Sequence, residues 1–233
     1  MKLSIVMPVY NESAHIDEVI TRIQSVVLPA AITSRELIII DDGSSDGTQK
    51  ILMNYSDDST MVIHSSRINF GKGTAIRIGL TYVTGDIVLV QDGDLEYDPN
   101  DYPALLAPII RGEAHVVYGS RFMKQTRIPG MRFPNWLANM ILRMTVNIFF
   151  GSRITDEATA YKVFASDVLR GVELRSKRFE FCPEITAKVL KAGYAIKEVP
   201  IYYNPRSIAE GKKITWRDGY VAIWTLIKFR FVD

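Results

Sequence analysis

Short apolar runs alternate with amphipathic segments through the first half of the chain, and this alternation limits the possible folds more than any other feature. The apolar runs have strand length and lie at residues 3–9, 36–41, 61–64, 86–91 and 114–120. Between them apolar side chains recur at helical spacing, as in Ile16, Val19, Ile20 and Ile23. Strands that alternate with helices predict an α/β fold with a mostly parallel sheet, wound right-handed and covered by helices on both faces.

Polar clusters directly follow three of these runs, at residues 10–13, 41–46 and 92–96. In an open parallel sheet, ligands bind beyond the carboxyl ends of the strands. We therefore expect the three clusters to meet in one crevice, although they are far apart in the sequence. Three unrelated capping loops are the alternative interpretation.

The third cluster places carboxylates at alternating positions, Asp92, Asp94 and Glu96, where a buried strand opens into a loop. Carboxylate oxygens suit hard cations, and Mg²⁺ or Mn²⁺ is commonly held by one or two carboxylates while a diphosphate completes the coordination. The pattern predicts such a site. A polar turn that caps the next helix is the simpler alternative, because short acidic motifs arise easily.

Composition narrows the class of protein. The chain has 233 residues, of which 47% are hydrophobic and 23% charged, and a net charge of +2. These values are typical of a globular domain with a substantial core and argue against a nucleic-acid-binding protein. The single Cys182 excludes an internal disulfide, which favours a reducing, cytosolic compartment. No run of ~20 apolar residues predicts a transmembrane helix.

A series of motifs resembles those of family 2 glycosyltransferases, which have a GT-A fold. The motifs are VMPVYNE at 6–12, DDGSSDGT at 41–48, NFGKG at 69–73, DGD at 92–94, GSRF at 119–122, TDEATAYKVF at 155–164 and PRSIAEGKK at 205–213. The last three are similar to the dolichyl-phosphate mannosyltransferase-like branch. The resemblance implies a metal-dependent, inverting hexosyltransferase that moves a sugar from a GDP- or UDP-sugar to a polyprenyl phosphate such as dolichyl or undecaprenyl phosphate.

The resemblance also implies one GT-A domain over residues 1–233. Within it, residues 1–120 would form the nucleotide-sugar half, residues 121–203 the acceptor half, and residues 204–233 a mobile loop with a C-terminal amphipathic segment. A plain surface loop is the alternative for the region around Gly211.

The donor-binding residues implied by the resemblance come from the strand ends and the glycine-containing turn. They are Pro8, Tyr10, Glu12, Asp42, Lys72 and Asp92. Asp92, Asp94 and Glu96 would hold Mg²⁺ or Mn²⁺, and Asp92, Asp94, Asp156 and Arg121 would be the catalytic residues. Each single residue has a simpler interpretation, such as edge packing for Tyr10 or a first-turn helix acid for Glu12.

The acceptor side should be cationic. A polyprenyl phosphate is already an anion, so it needs positioning rather than a general base. The implied phosphate-binding residues are Arg121, Arg132, Arg206 and Lys213, although Arg132 and Lys213 also fit solvated surface charges. If the acceptor were a hydroxyl instead, Asp156 would be the expected base.

The segment 133–150 is apolar around most of its circumference, with Asn135, Asn139, Arg143 and Asn147 in one narrow polar stripe. It is short for a membrane span, and with the aromatic segment 220–231 it predicts peripheral attachment to the cytosolic face of a membrane. The alternatives are a core helix or a homodimer seam.

Two other functions stay open from the sequence. The first is a glycosyltransferase with a soluble or glycolipid hydroxyl acceptor. The second is a non-catalytic protein that binds a nucleotide sugar. A nucleotidyltransferase is disfavoured, because no glycine-rich, arginine-bearing loop follows the first strand to hold a triphosphate.

Overall fold

A computed structural model of the chain describes residues 1–206 and 216–232. The strands in these parts are β1 Lys2–Val9, β2 Ser34–Asp41, β3 Met61–Ser65, β4 Ile87–Val90, β5 Val116–Ser120, β6 Lys162–Ala165 and β7 Ile196–Pro200. The helices are α1 Ile16–Ser25, α2 Thr48–Leu52, α3 Lys72–Leu80, α4 Tyr102–Ile110, α5 Phe133–Phe150, α6 Ser166–Arg170, α7 Phe181–Lys191 and α8 Trp216–Phe231. Short 3-10 turns extend α2 and precede α4.

The strands form a single sheet in the order β3-β2-β1-β4-β6-β5-β7. The mostly parallel sheet is confirmed, with one exception: β6 runs antiparallel to both β4 and β5. The sequence analysis did not identify β6 as a strand. Because Lys162 at its start pairs with Val90 at the end of β4, the segment that precedes β6 is brought to the carboxyl end of the parallel strands.

Both faces of the sheet are covered by helices. On one face, α1 and α4 bury a cluster that includes Ile20 and Leu105 against Ile5 of β1. On the other face, α3 and α7 bury Ile76 and Ile185 against the opposite side of the sheet. Burial on both sides explains why the strands read as continuous apolar runs rather than alternating patterns.

A further layer consists of α5 packed on α8 through a cluster of its own, which includes Val146 and Leu226. The polar stripe of α5 faces the protein: Asn139 accepts a hydrogen bond from Arg121, and Asn147 accepts one from the amide of Ile154. The exposed side chains of α5 are therefore apolar. In the parts of the chain that the structure describes, no helix combines the length and the apolar character that a bilayer crossing requires.

The exposed apolar side chains of the two helices form what we call the outer face. On α5 they are Phe133, Leu137, Ile141, Met144 and Ile148, and on α8 they are Tyr220, Val221, Trp224 and Phe231. Those on α5 are three or four positions apart and therefore share one side of the helix. Ile148 and Trp224 are 72% and 58% exposed, so the outer face is apolar surface that the described chain leaves uncovered.

Candidate active site

The predicted polar clusters meet in one cavity of about 270 Å³ beyond the carboxyl ends of β1, β2 and β4. Every residue implied for donor or metal binding lines it: Pro8, Tyr10, Glu12, Asp42, Lys72, Asp92, Asp94 and Glu96. Arg206, which follows β7 in the chain, also lines this cavity. The parallel topology produces this convergence, since it brings each strand's end to the same edge of the sheet.

Opposite charges face each other at one end of the cavity. The Arg206 guanidinium forms ion pairs with Glu12, at 3.0 Å, and with Asp94. Lys72 forms an ion pair with Asp92. Burial, with repulsion from Asp92, raises the pKa of the Asp94 carboxyl to about 7. Even with these two cations present, the carboxylates create a region where additional positive charge is favourable.

Glu96 connects this end of the cavity to the strand region before Arg206. Its carboxylate accepts hydrogen bonds from the amide of Arg206, at 2.8 Å, and from the hydroxyl of Tyr203, at 3.0 Å. Its own amide donates to Asp94 at 3.0 Å. To join a metal's coordination, Glu96 would have to exchange some of these hydrogen bonds.

The other end of the cavity is built around Asp42. Its carboxylate accepts hydrogen bonds from the amides of Phe70, at 2.8 Å, and Gly71, at 2.7 Å. Burial raises the pKa of Asp42 although these bonds oppose the shift. Gly71 has a φ of +99°, and a Cβ there would collide with the carbonyl oxygen of Lys177. Only glycine fits this turn, which starts α3 and directs Lys72 towards Asp92.

Sequence analysis missed the loop between α6 and α7, which supplies part of the cavity wall through Arg178 and Phe179. The carbonyls of Lys177 and Arg178 accept hydrogen bonds from the amides of Thr74, at 3.0 Å, and Gly73, at 3.1 Å. The first-turn amides of α3 are thus already used within the protein. No sequence signal pointed to this loop, because its placement depends on a tertiary contact about 100 residues away in the chain.

Arg121 and Asp156 lie together, but they do not line the cavity. The guanidinium of Arg121 makes two hydrogen bonds of 2.7 Å to the carboxylate, and the Arg121 amide donates a third at 3.0 Å. Both residues are buried, and although burial opposes its charge, Asp156 raises the pKa of Arg121 well above its usual range. Glu198 holds the neighbouring backbone by accepting from the amides of Thr155 and Asp156.

The Arg121–Asp156 pair is nevertheless connected to the cavity. The Arg121 guanidinium lies over the ring of Tyr203, 4.9 Å from its centroid, and Tyr203 donates to Glu96. The pair therefore helps to hold Tyr203, and through it Glu96, in place at the cavity. Arg132 is exposed just before α5 and does not line the cavity, and Lys213 falls outside the described residues.

In the described parts of the chain, no group of three or more His, Cys, Asp or Glu side chains is arranged to hold a metal ion. Asp92 and Asp94 still suit a hard divalent cation, since both line the cavity and Asp94 is buried beside a like charge. Two carboxylates with phosphate oxygens from a ligand are a common arrangement for Mg²⁺. The residues present therefore fit a cation that binds together with a diphosphate.

Comparison with known protein families gives one match that covers most of the chain. The sequence model described as glycosyl transferase family 2 matches residues 4–171. Among curated proteins, a dodecaprenyl-phosphate galacturonate synthase from Rhizobium johnstonii is 26% identical over 88% of this chain and 60% of its own length. A dolichol-phosphate mannosyltransferase from Pyrococcus furiosus is 26% identical over 91% of this chain and 59% of its own.

A low-salt glycan biosynthesis hexosyltransferase from Haloferax volcanii is 28% identical over 99% of this chain and 53% of its own length. The chain thus spans between about half and three fifths of these curated relatives. Glucosyl-3-phosphoglycerate synthase from Mycobacterium tuberculosis, solved with Mn²⁺, UDP and phosphoglyceric acid, superimposes on the whole chain and 79% of its own, with a TM-score of 0.74 and 20% identity. The same synthase solved with Mg²⁺ and UDP gives a TM-score of 0.69 at 21% identity, over the whole chain and 80% of its own. These matches confirm the expected GT-A fold.

Proposed function

The chain belongs to glycosyl transferase family 2, and from this premise we propose that it transfers a hexose from a GDP- or UDP-sugar to a polyprenyl phosphate with inversion at the anomeric carbon. The observation that carries the proposal is the cavity in which Asp92 and Asp94 lie against Lys72 and Arg206. A diphosphate needs cations, and a divalent ion that accompanies it needs carboxylates. The names of two curated relatives, which contain dodecaprenyl-phosphate and dolichol-phosphate, support the acceptor class.

Donor binding would use both ends of the cavity. The end around Asp42, Gly71 and Phe179 is the place for the nucleoside, where a carboxylate can accept hydrogen bonds and a ring can pack on the base. Lys72 would meet the diphosphate. In the donor complex Lys72 and Arg206 would exchange part of their pairing with Asp92 and Asp94 for phosphate oxygens, which are stronger partners for cations than water is.

Asp92 and Asp94 are the proposed ligands of Mg²⁺ or Mn²⁺, with Glu96 as a further ligand once its hydrogen bonds are exchanged. A bound divalent ion would supply Lewis-acid neutralisation of the charge that develops on the departing nucleoside diphosphate. The side-chain cations of Lys72 and Arg206 would stabilise the same negative charge on the departing nucleoside diphosphate.

The acceptor is expected to attack from the face opposite the diphosphate. Arg206 and Lys213 remain proposed phosphate-binding residues, with Arg132 at the start of α5 as a further cation. Arg121 and Asp156 are proposed to act by position: their buried ion pair fixes Tyr203, which in turn holds Glu96 at the cavity. Both carboxylate oxygens of Asp156 already accept hydrogen bonds from the guanidinium of Arg121, and one also accepts from the Arg121 amide, so neither is free to accept a proton from an acceptor hydroxyl.

The outer face gives the proposal a membrane component. An exposed apolar patch on two packed helices, with Lys228 and Arg230 exposed beside it, suits a lipid surface with anionic headgroups. We infer peripheral attachment at the cytosolic face, which would bring the cavity to a membrane-embedded acceptor. A second copy of the chain is the other candidate for covering this face. Sedimentation velocity without lipid distinguishes the two, since a homodimer would persist there.

The test is a transfer screen with GDP-mannose, UDP-glucose and UDP-N-acetylglucosamine against short-chain polyprenyl phosphates, with and without Mn²⁺. We expect release of nucleoside diphosphate and formation of a prenyl-phosphate sugar with one donor, dependent on the metal. If the chain transferred the sugar to a hydroxyl acceptor such as octanol or a glycerol derivative as well as to the polyprenyl phosphate, the proposed acceptor class would be wrong. Donor binding by calorimetry without turnover on any acceptor would replace the enzyme by a nucleotide-sugar-binding protein.

A further inference from the structure

Gln91 follows the apolar strand β4 and precedes the acidic loop 92–96, and the proposed function gives it no role. It is fully buried, and its amide donates to the carbonyl of Val6 at 3.0 Å, which extends the pairing of β4 with β1 by one residue. All four residues of β4 are buried and apolar. A buried amide side chain that continues such a strand has to find hydrogen-bond partners inside the protein, and these partners indicate what it does.

The partners of Gln91 fix the orientation of its side-chain amide. One partner is the backbone carbonyl oxygen of Asp92, 2.8 Å from Nε2. Because a carbonyl oxygen can only accept, the NH2 group has to face it, and Oε1 points the other way. There Oε1 accepts hydrogen bonds of 2.8 Å from the hydroxyls of Tyr102 and Tyr161. These three partners together allow only one orientation of the amide.

Aromatic packing holds the two tyrosines in place. Both are fully buried, and their rings meet edge to face with centroids 5.9 Å apart. Tyr161 also packs on Tyr97, with centroids 4.7 Å apart, and the Tyr97 hydroxyl accepts from the amide of Ala160 at 3.0 Å. Tyr97 directly follows Glu96 in the chain. The acidic loop is thus anchored on Tyr161 at both ends, through Gln91 at its start and through Tyr97 at its end.

The bond from Gln91 matters because of the residue that comes next in the loop. The carbonyl of Asp92 belongs to the peptide group that joins it to Gly93, and a glycine permits a wider range of backbone angles than other residues. The hydrogen bond fixes the plane of this peptide group. That plane decides the direction in which the chain continues to Asp94, and therefore where the two carboxylates lie relative to each other. Both carboxylates line the cavity.

We propose that Gln91 is a positioning residue for the cation site: its side chain sets the relative placement of the Asp92 and Asp94 carboxylates. The assignment rests on the cation site of the proposed function. Gln91 does not line the cavity, so it acts through the backbone of Asp92 and not by contact with the ligand. Loss of a group that orients a metal ligand commonly lowers metal affinity by about 10- to 100-fold, and this gives the size of effect to expect.

The test measures binding of UDP and GDP to the full chain by calorimetry, with and without Mn²⁺. The compared quantity is the metal enhancement, the Kd without Mn²⁺ divided by the Kd with Mn²⁺, for the nucleotide that binds more tightly. Gln91→Met removes the bond to Asp92 with little change in side-chain volume, but it leaves two tyrosine hydroxyls unpaired. Tyr102→Phe is the matched control, because it alters the same buried cluster and keeps the bond to Asp92.

A third variant separates positioning from folding. It combines Gln91→Met with Tyr102→Phe and Tyr161→Phe, so that the amide and both hydroxyls are replaced by apolar groups together. Such a joint replacement costs little stability, because it leaves no side-chain polar atom of the cluster unpaired. We expect the triple variant to unfold at a higher urea concentration than Gln91→Met and to show the same loss of metal enhancement. If Gln91→Met alone does not fold, the triple variant carries the comparison.

We expect Gln91→Met to reduce the metal enhancement about tenfold, or to abolish a smaller one, and Tyr102→Phe to change it less than about twofold. The nucleotide affinity without Mn²⁺ should be similar in all variants. An unchanged enhancement in Gln91→Met, or one that the triple variant recovers together with its stability, would overturn the positioning role. No enhancement in the unaltered chain would refute the cation site of the proposed function, and the role of Gln91 with it.

Discussion

Carboxylates are buried at both ends of the central strands, but their surroundings are opposite. At the amino end, Glu36 accepts hydrogen bonds from Ser4, at 2.5 Å, and from the amide and hydroxyl of Thr84, at 2.8 and 2.7 Å, and it pairs with Lys2. Burial opposes its ionisation, yet these partners lower the pKa of Glu36 to about 2. At the carboxyl end, burial and Asp92 raise the pKa of Asp94 to about 7.

The difference shows what each end contributes. At the amino end, the charge of Glu36 is balanced by partners within the protein, and this pairing stabilises the fold. The carboxyl end keeps two carboxylates close together, so part of their electrostatic energy is available to a ligand that brings positive charge. Perturbation of either end should therefore separate stability from activity.

The largest expected effect comes from Asp156→Ala. This variant tests whether the role of a buried carboxylate is decided by its hydrogen-bond partners within the protein or by the end of the sheet at which it lies. Asp156 lies near the carboxyl end of the sheet, but its carboxylate is paired within the protein. We therefore expect it to stabilise the fold, as Glu36 does. Removal leaves Arg121 buried without its charge partner, and we expect unfolding in urea to lose about 3–5 kcal/mol. Glu113→Ala, which removes an exposed carboxylate paired with Arg111 and Lys197, is the control and should cost roughly 1 kcal/mol. Equal losses in the two variants would contradict the comparison.

Next in size is Asp94→Asn, which removes one of the two adjacent carboxylates and keeps the side-chain shape. Transfer activity should fall roughly 10²-fold or more, as when a group that stabilises transition-state charge is removed. The free energy of unfolding should stay the same or rise, because burial and repulsion from Asp92 outweigh the ion pair with Arg206, as the raised pKa of Asp94 indicates. Steady-state rates and urea unfolding of the same preparation measure both. A variant that unfolds more easily would show that Asp94 is structural.

Glu36→Gln should have the reverse signature, with stability lowered by roughly 2 kcal/mol at pH 7 and transfer retained. The folded-state pKa of about 2 is below the usual 4.5, so the ionised carboxylate stabilises the fold above that pH and loses its contribution as the pH falls towards 2. The stability difference between the unaltered chain and the variant should therefore shrink from pH 5 to pH 2. A difference that is constant over this range would refute the assignment to Glu36 ionisation.

The smallest effect is expected for Lys2→Met, which removes only the exposed partner of Glu36. The Lys2 side chain is 36% exposed, and an ion pair of this kind contributes about 0.2–1 kcal/mol. The hydroxyl and amide donors of Ser4 and Thr84 remain. Denaturant midpoints of the single and double variants with Glu36→Gln measure the coupling. If Lys2→Met lowered the free energy of unfolding as much as Glu36→Gln does, the ion pair with Lys2 rather than the hydrogen bonds would be the main stabilising contact of Glu36.

Much of the cavity was predictable from residue order. Strand-length runs that end in polar clusters place Tyr10, Asp42 and Asp94 at one edge, because a parallel sheet aligns its carboxyl ends. Three features were not predictable. The antiparallel strand β6 was not identified from the sequence, the Arg178–Phe179 wall is set by backbone contacts with α3, and the meeting of Arg121 with Asp156 depends on the pairing of β5 with β6. Each rests on contacts between distant segments, and local patterns do not encode them.

The sequence by itself determined most of the helices and strands, their alternation and the carboxylates at the strand ends, since periodicity and turn chemistry are local properties. Tertiary structure alone decided the orientation of α5. A stripe of Asn139, Arg143 and Asn147 on an apolar helix indicates two faces but not which one meets the protein. The hydrogen bonds that Arg121 and the 152–154 turn offer to this stripe turn it inward, because buried polar groups must be paired, and the apolar side is left outside as a result.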